Sequence, residues 1–440
     1  LFMSVVVALF IGLTVSAEEI IRDRKILKRE SFLNLSKTSY LFSKISIMFI
    51  LSAIQTATFV LVGNLVLGIK GMWVDYWLVL FTTSCFANML GLNISSAFNS
   101  AVTIYILIPF LIIPQLLLSG VIVKFEKLNP TITSQKNVPV AGNMMASRWA
   151  FEALAVDQFI DNKFERHFYA YDEMMSYTDF RKNYWIPHLR GIIDKCETNG
   201  KSVTPKGYAD AEKGILRTKE DSMANEQMVD VSLLKDEIAS DLMRLVDFST
   251  RKPAKIAPLG KQLRAQLDLL ADSIAKTKYS AFGTNEANHM RDYLNLVNSV
   301  YIKIFNFNSG KRDQEVHNLE RGGKTAFVDL KNDYYNEGLG DMVTNKNEFN
   351  KLLEQDGILI QRADPVFLEP YQSDIGNAHF YAPRKRFFGT YISTFWFNIG
   401  VLWSMSLLMF ITLYFDLLRK IIDGLGSLGE RFGKKKDQPK

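Results

Sequence analysis

From Ile45 to Ile69 the chain carries no charged side chain. About twenty apolar residues cross a bilayer core, and inside it every backbone polar group must pair within a helix or a closed barrel. This run therefore predicts a membrane helix, although it is not purely apolar: Ser46, Ser52, Gln55, Thr56, Thr58 and Asn64 lie in it. Similar runs occupy residues 1–17, 73–97, 101–123 and 390–418. Trp73, Tyr76 and Trp77 open the 73–97 run and suit an aromatic belt, with Asp75 near the same interface. Pro109 and Pro114 interrupt the hydrogen-bond ladder of the 101–123 run, as a bend, or as a hinge or gate.

Between the first two runs lies Glu18–Lys44. Arg22, Arg24, Lys25, Lys28 and Arg29 crowd into two helical turns there, followed by Lys37 and Lys44. A short loop this rich in Lys and Arg reads as cytoplasmic. It has neither Pro nor Gly, so helix is allowed throughout. Only Ile20 and Leu27, seven apart, share an apolar face. A helix that is polar on every side is either solvated or held by a partner.

The overall composition, 48% hydrophobic and 22% charged, hides this concentration at the two ends. The net charge of +6 is a membrane-topology signal more than a nucleic-acid signal, because the basic residues lie beside the apolar runs. No nucleic-acid partner is expected. Leu1 already stands inside an apolar run without the charged start of a signal peptide, so a longer protein is expected upstream.

Residues 124–386 are polar and mainly of helical period. Thr178 is a candidate cap for a helix over Asp179–Cys196, and Thr284 for another. Leu233, Leu234, Ile238, Leu242 and Leu245 form one apolar stripe, and Leu259, Leu263, Leu267, Leu270 and Ile274 a second. A third runs through Met290, Tyr293, Leu294, Val297, Tyr301 and Ile304, while Ile358–Gln361 is the strand candidate. The two cysteines, Cys85 and Cys196, lie in unlike surroundings and predict no disulfide. The five histidines are scattered, with no HExxH and no metal-ligand spacing. Gly323-Lys324-Thr325 lacks the earlier glycine of a phosphate loop, and Gly200-Lys201-Ser202 fails likewise. No catalytic constellation, and no metal site, is expected in this chain.

Parity orders the runs. If the first ends in the cytoplasm, residues 124–386 are extracytoplasmic and the 390–418 run returns inward to a basic tail, 419–440, with Arg431 and Lys434-Lys435-Lys436. Arg384-Lys385-Arg386 opposes this, since it abuts the last run on the outer side. No glycosylation sequon occurs in the outer region, which favours a bacterial inner (cytoplasmic) membrane with a periplasmic domain.

A series of short matches then appears in one order. Ser16-Ala17-Glu18-Glu19 closes a span, Arg29-Glu30 ends the charged helix, and Ser39-Tyr40 with Ser43-Lys44 opens the next. Leu67-Gly68 closes it, Leu118-Ser119-Gly120-Val121-Ile122-Val123 follows, and Ser147-Arg148-Trp149-Ala150-Phe151-Glu152-Ala153-Leu154 comes last. The set resembles the permease half of ABCG-type (white-type) ATP-binding cassette exporters, the ABC-2 membrane family. The resemblance implies an all-α membrane protein: an ABC-2 type transmembrane helix bundle, here with an enlarged, mainly helical outer domain. Residues 18–44 become a coupling helix and its lead-in. Glu19, Arg22, Lys25, Arg29 and Glu30 would then dock on a nucleotide-binding domain that supplies ATP and Mg chemistry from outside this chain. Val121 and Ile122 would form the outer gate of a dimer, homo- or heteromeric. Asn88, Asn93 and Gln115 are candidates for the pathway of an amphipathic or lipid-like substrate, or else for interhelical hydrogen bonding. Gly12 stands where drug-exporting members carry a substrate-clamping Phe.

A second reading has the spans as a non-transporting anchor for an envelope domain, 124–386, that binds a partner. The reading frame upstream separates the two: a P-loop ATPase there supports the exporter, and its absence the anchor.

Overall fold

The computed structural model describes residues 1–30, 36–128, 137–200, 211, 213, 219–276, 283–323, 325–355, 357–370 and 376–424. The side chain of Glu30, Lys324 of the discarded phosphate-loop match, Lys201 and Ser202 of the other, and Arg431 with Lys434–Lys436 lie outside them. In chain order the helices are α1 (Phe2–Ser16), α2 (Glu19–Glu30), α3 (Lys37–Leu67), α4 (Trp73–Ala97), α5 (Ala101–Leu117), α6 (Val140–Asn143) and α7 (Ala146–Ile160). They continue with α8 (Glu165–Phe180), α9 (Ile186–Gly200), α10 (Lys219–Arg251), α11 (Gly260–Ala275), α12 (Thr284–Glu320), α13 (Ala326–Tyr334), α14 (Glu337–Val343) and α15 (Thr394–Tyr414). Strands β1 (Leu352–Gln355) and β2 (Ile358–Gln361) form one antiparallel hairpin, and β3 (Arg384–Phe387) and β4 (Thr390–Ser393) another. The chain divides into two compact units, Leu1–Asn162 with Gln372–Lys440, and Lys163–Tyr371.

The first unit is an all-α membrane bundle. Among the described residues four helices are long and apolar enough to cross a membrane: Phe2–Leu27, Lys37–Leu67, Trp73–Ala97 and Thr394–Tyr414. Helix α4 is its axis, flanked by α1, α3, α7 and α15. It can be the axis because its small and hydroxyl residues (Ser84, Ala87, Gly91, Ser95) let neighbours approach closely.

Two predicted boundaries move. The helix expected over 101–123 ends at Leu117, whose successor Leu118 donates the last helical bond to Pro114 O at 2.9 Å. Gly120 then takes φ +81°, which no helix accommodates. The last span does not begin at Thr390. Thr390-Tyr391-Ile392, β-branched and aromatic, pair with Phe387, Arg386 and Lys385 in β3, and α15 starts at Thr394.

The second unit packs α8–α12 around one core. The three apolar stripes meet there, with Leu234, Leu267, Met290, Tyr293, Leu294 and Val297 fully buried. The strand at Ile358–Gln361 forms and pairs with Leu352–Gln355. Two expected caps do not. Thr178 lies inside continuous helix, its hydroxyl donating to Met174 O at 2.8 Å, because α8 already runs from Glu165 through a π turn (Arg181–Trp185) into α9. That turn ends where Ile186 N–H bonds Arg181 O, just before Pro187, which has no N–H to give. Thr284 is the first helical residue and donates to Glu197, while the Gly283 N–H is capped by Glu286 Oε2 at 3.0 Å. At the centre, buried Asp241 accepts from the hydroxyls of Tyr177, Tyr293 and Tyr301 and faces Arg181 Nε at 3.4 Å.

Candidate coupling helix and the charged core of the membrane unit

Helix α2 has two stripes at the i, i+3, i+4, i+7 spacing of one helix face. Ile20, Asp23, Arg24 and Leu27 point into the bundle. Arg22, Lys25, Ile26 and Arg29 point out and are exposed. Ile20 packs with Leu41, Ile45, Met89, Leu92 and Leu413, and Leu27 lies against the same cluster. The backbone N–H groups of Ile20 and Ile21 both donate to Ser95 Oγ at 3.0 Å, so α4 caps the first turn. Lys44, from α3, reaches Glu19 Oε2 at 2.8 Å and Asp23 Oδ2 at 2.7 Å. Tyr40 donates to Asp23 at 3.2 Å, and Arg24 donates to Ser96 O at 2.9 Å and to Asn99.

The charges of α2 are therefore not equivalent. Glu19, expected on the outer docking surface, is spent inward on Lys44 and also takes Arg22 at 2.7 Å. Arg22, with a side chain 66% exposed, leans back to Glu19 but keeps its surface open. A helix polar on all sides has a third solution besides solvent and a partner: its own bundle holds Glu19, Asp23 and Arg24, three of the six charged side chains described on it. The sequence signal for this was present in Asp23 and Lys44, whose pairing needs α2 and α3 to fold back on each other.

The span polar residues serve as clips. Asn88 Nδ2 donates to Ser52 Oγ at 2.7 Å and Met48 O at 3.3 Å, with Ser52 bonded to Ser84 at 2.9 Å. Asn93 donates to Met409 O at 2.8 Å and accepts from Thr412 at 2.9 Å. Gln115 accepts the Ser147 N–H at 3.0 Å, tying α5 to α7. Asn88 thus bonds to α3, Asn93 to α15 and Gln115 to α7.

Gly12 is walled in by α4. A Cβ there would lie 2.7 Å from both Ala87 Cβ and Ser84 O. Ala8, Gly12 and Ser16 make a small-residue stripe that lets α1 touch α4 backbone to backbone. A clamping aromatic has no room at this site, so Gly12→Phe should prevent stable assembly of the bundle. Fluorescence-detected gel filtration in detergent should show aggregate in place of a monodisperse peak, and a wild-type profile would contradict the packing.

Val121 and Ile122 follow the Gly120 turn. The Phe125 ring crowds the place a Gly120 Cβ would take, and contacts Phe380 edge-on at 5.4 Å. That fixes the turn and leaves Ile122 58% exposed and Val121 half-buried.

A cluster that no single motif announces lies beside α7. Glu152 Oε2 accepts Lys385 Nζ at 2.7 Å and Asn398 Nδ2 at 2.9 Å, and faces Arg148 Nη2 at 3.4 Å. Lys385 and Glu152 are wholly buried and Arg148 is 1% exposed. Trp149 carries the Arg148 guanidinium at 3.8 Å from its ring centroid and the Lys385 ammonium at 4.5 Å. Burial, then the nearby Arg148 charge, push the Lys385 ammonium down to about 7. Burial alone would raise the Glu152 carboxyl, but Arg148, Lys385 and Asn398 outweigh it and hold it below the usual range. The cluster also accounts for part of the basic triplet that abuts the last span: Lys385 is not a loop charge but half of a buried pair. It draws residues 137–162 and 376–393 into the membrane unit, so the second unit begins at Lys163 and not at Lys124.

Residues 1–150 match the family model of the ABC-2 type transporter. This stretch is similar to the membrane region of ABC-2 type transporters. The match takes in α2, the α5 turn and Arg148. It supports a membrane permease component of an ABC transporter and implies pairing with an ATP-binding cassette domain that uses ATP. No curated protein and no solved structure matches the chain.

Proposed function

We propose that this chain is the permease part of an ATP-driven exporter of the ABCG (white-type) kind, working as a dimer in a bacterial inner membrane. The outer stripe of α2 carries the reading: Arg22, Lys25, Ile26 and Arg29 are left over once the inner stripe has docked the helix. Three cations around one apolar side chain suit a groove with acidic rims on a nucleotide-binding domain. ATP-driven closure of two such domains would push both α2 helices and turn the permease outward. Val121 and Ile122, held out by the Gly120 turn, would close the outer end against their copies. The groove where Gln55 and Thr58 sit among Ile11, Ile54, Phe59 and Val62 suits an amphipathic or lipid-like cargo.

In this reading α5, an apolar helix of 17 residues, also crosses the membrane, which makes Lys163–Tyr371 periplasmic, and the separate core of that unit suits a role of its own with an envelope partner. Cys196 is buried and a poor reporter, whereas Phe349 is 98% exposed. Phe349→Cys, with Cys85 and Cys196 replaced, should react with a membrane-impermeant maleimide in intact cells whose outer membrane has been made permeable. Labelling only after the inner membrane is opened would reverse the topology.

A further inference from the structure

The β3–β4 hairpin ends in an aromatic pair that the fold does not use. Its loop is Phe388-Gly389, with φ +44° and +80°. A two-residue loop with both φ positive favours Asn or Asp followed by Gly, and a bulky residue in its first place is strained. Phe388 sits there nonetheless, 80% exposed, beside Phe387 at 37%. The two rings meet each other edge-on at 4.6 Å, and Phe387 leans on Phe397 at 5.8 Å. Neither packing nor turn geometry accounts for a phenylalanine at 388, and an outlier of this kind points toward function.

The hairpin is held rigidly. Directly opposed residues share a face, so Lys385 with Ile392 and Phe387 with Thr390 lie on one side. Lys385 pins that side to Glu152. Arg384 and Ser393, on the other side, are exposed. Ser393 leads directly into α15, a candidate span, whose first turn presents Trp396 at 61% exposure. The chain itself thus fixes the hairpin at the level where a span meets the headgroups, the depth that Trp prefers and where an exposed Phe can bury its ring at the acyl boundary.

We infer that the Phe387-Phe388 tip, together with Trp396, is an interfacial anchor that inserts at the headgroup–acyl boundary of a phospholipid bilayer and sets the depth of α15. The inference rests on α15 spanning the membrane, and the test separates the two. In the full chain, with Cys85 and Cys196 replaced, Phe388→Cys and, separately, Leu408→Cys carry an environment-sensitive fluorophore. Leu408 is 56% exposed along α15. Each protein is reconstituted in phosphatidylethanolamine–phosphatidylglycerol vesicles, with and without chain-brominated lipid, and titrated with iodide. Both probes should lose emission to brominated lipid, and the Phe388 probe should lose little to iodide. Quenching of the Leu408 probe by bromine with the Phe388 probe quenched only by iodide would overturn the anchor and leave the span intact. A Phe388 probe insensitive to both quenchers would mean that protein covers the tip, and would also overturn it. If bromine reaches neither probe, the span assignment fails and the anchor with it.

Discussion

In the transporter proposed above, Lys25→Glu combined with Arg29→Glu should abolish export while the partner cassette goes on hydrolysing ATP. The reason lies in the division of labour on α2. Neither residue takes part in the inner stripe, where Lys44 holds Glu19 and Asp23. A surface substitution usually shifts stability by less than about 0.5 kcal/mol, so α2 should stay docked in its bundle. Against a partner the balance differs. An exposed ion pair contributes about 0–1 kcal/mol, but a charge left buried and unpaired at an interface costs about 2–5 kcal/mol. Reversing two cations on one face also brings like charges together, enough to separate the helix from an acidic groove. Proteoliposomes loaded with ATP would report both rates, hydrolysis and export, from one preparation. Glu30→Arg, at the end of the same helix, belongs in the series. An export-to-hydrolysis ratio equal to wild type would make the outer stripe an ordinary solvated face and remove the main support for an exporter.

Glu152→Gln should be the most damaging single change in the membrane unit outside its helix crossings. It removes the negative charge that Lys385, Arg148 and Asn398 share and leaves Arg148 charged, since a guanidinium does not deprotonate in a protein. Breaking a buried ion pair from one side costs about 3–5 kcal/mol. Substituting the whole set with apolar residues of similar volume, Glu152→Leu with Arg148→Met and Lys385→Met, should recover most of that loss, because buried ion sets are often replaceable at no cost. Thermal melts in detergent would compare the three proteins, and equal melting temperatures would refute the cluster. The pH dependence supplies a second readout. The unfolded chain holds the Lys385 proton up to about 10.4, whereas the folded protein releases it near 7. Between those values the unfolded state binds more protons, so stability rises with pH above about 7 and is flat below it. The slope from this one group is at most about 1.4 kcal/mol per pH unit. Glu152, ionised throughout this range, adds no slope. Lys385→Met should therefore lose ground to wild type as pH climbs from 7.5 to 9. Parallel curves would mean that Lys385 is protonated as usual.

Residue type and period were sufficient for most of the helices, though not for the β3–β4 hairpin or the end at Leu117. Uncharged runs determine membrane helices because a bilayer offers the backbone no other partner. The stripes through Leu234, Leu267 and Val297 are buried because apolar residues at helical spacing share one face. Crowded Lys and Arg marked α2 as the segment to watch. Helix starts were less legible. Thr178 is an acceptable cap in isolation, and only the helical residues before it remove the end it would cap.

What tertiary structure decided is which charges are available. In sequence, Glu19 and Lys25 are both charges on one helix. In the fold, Lys44 takes the first and leaves the second exposed. Arg384-Lys385-Arg386 reads as a basic loop until Lys385 meets Glu152, far away in the chain. Gly12 reads as a vacancy in a pathway until Ala87 and Ser84 close over it. In each case the deciding partner is remote in sequence. Local pattern sets which face a side chain occupies, but only the packed bundle sets what that face meets.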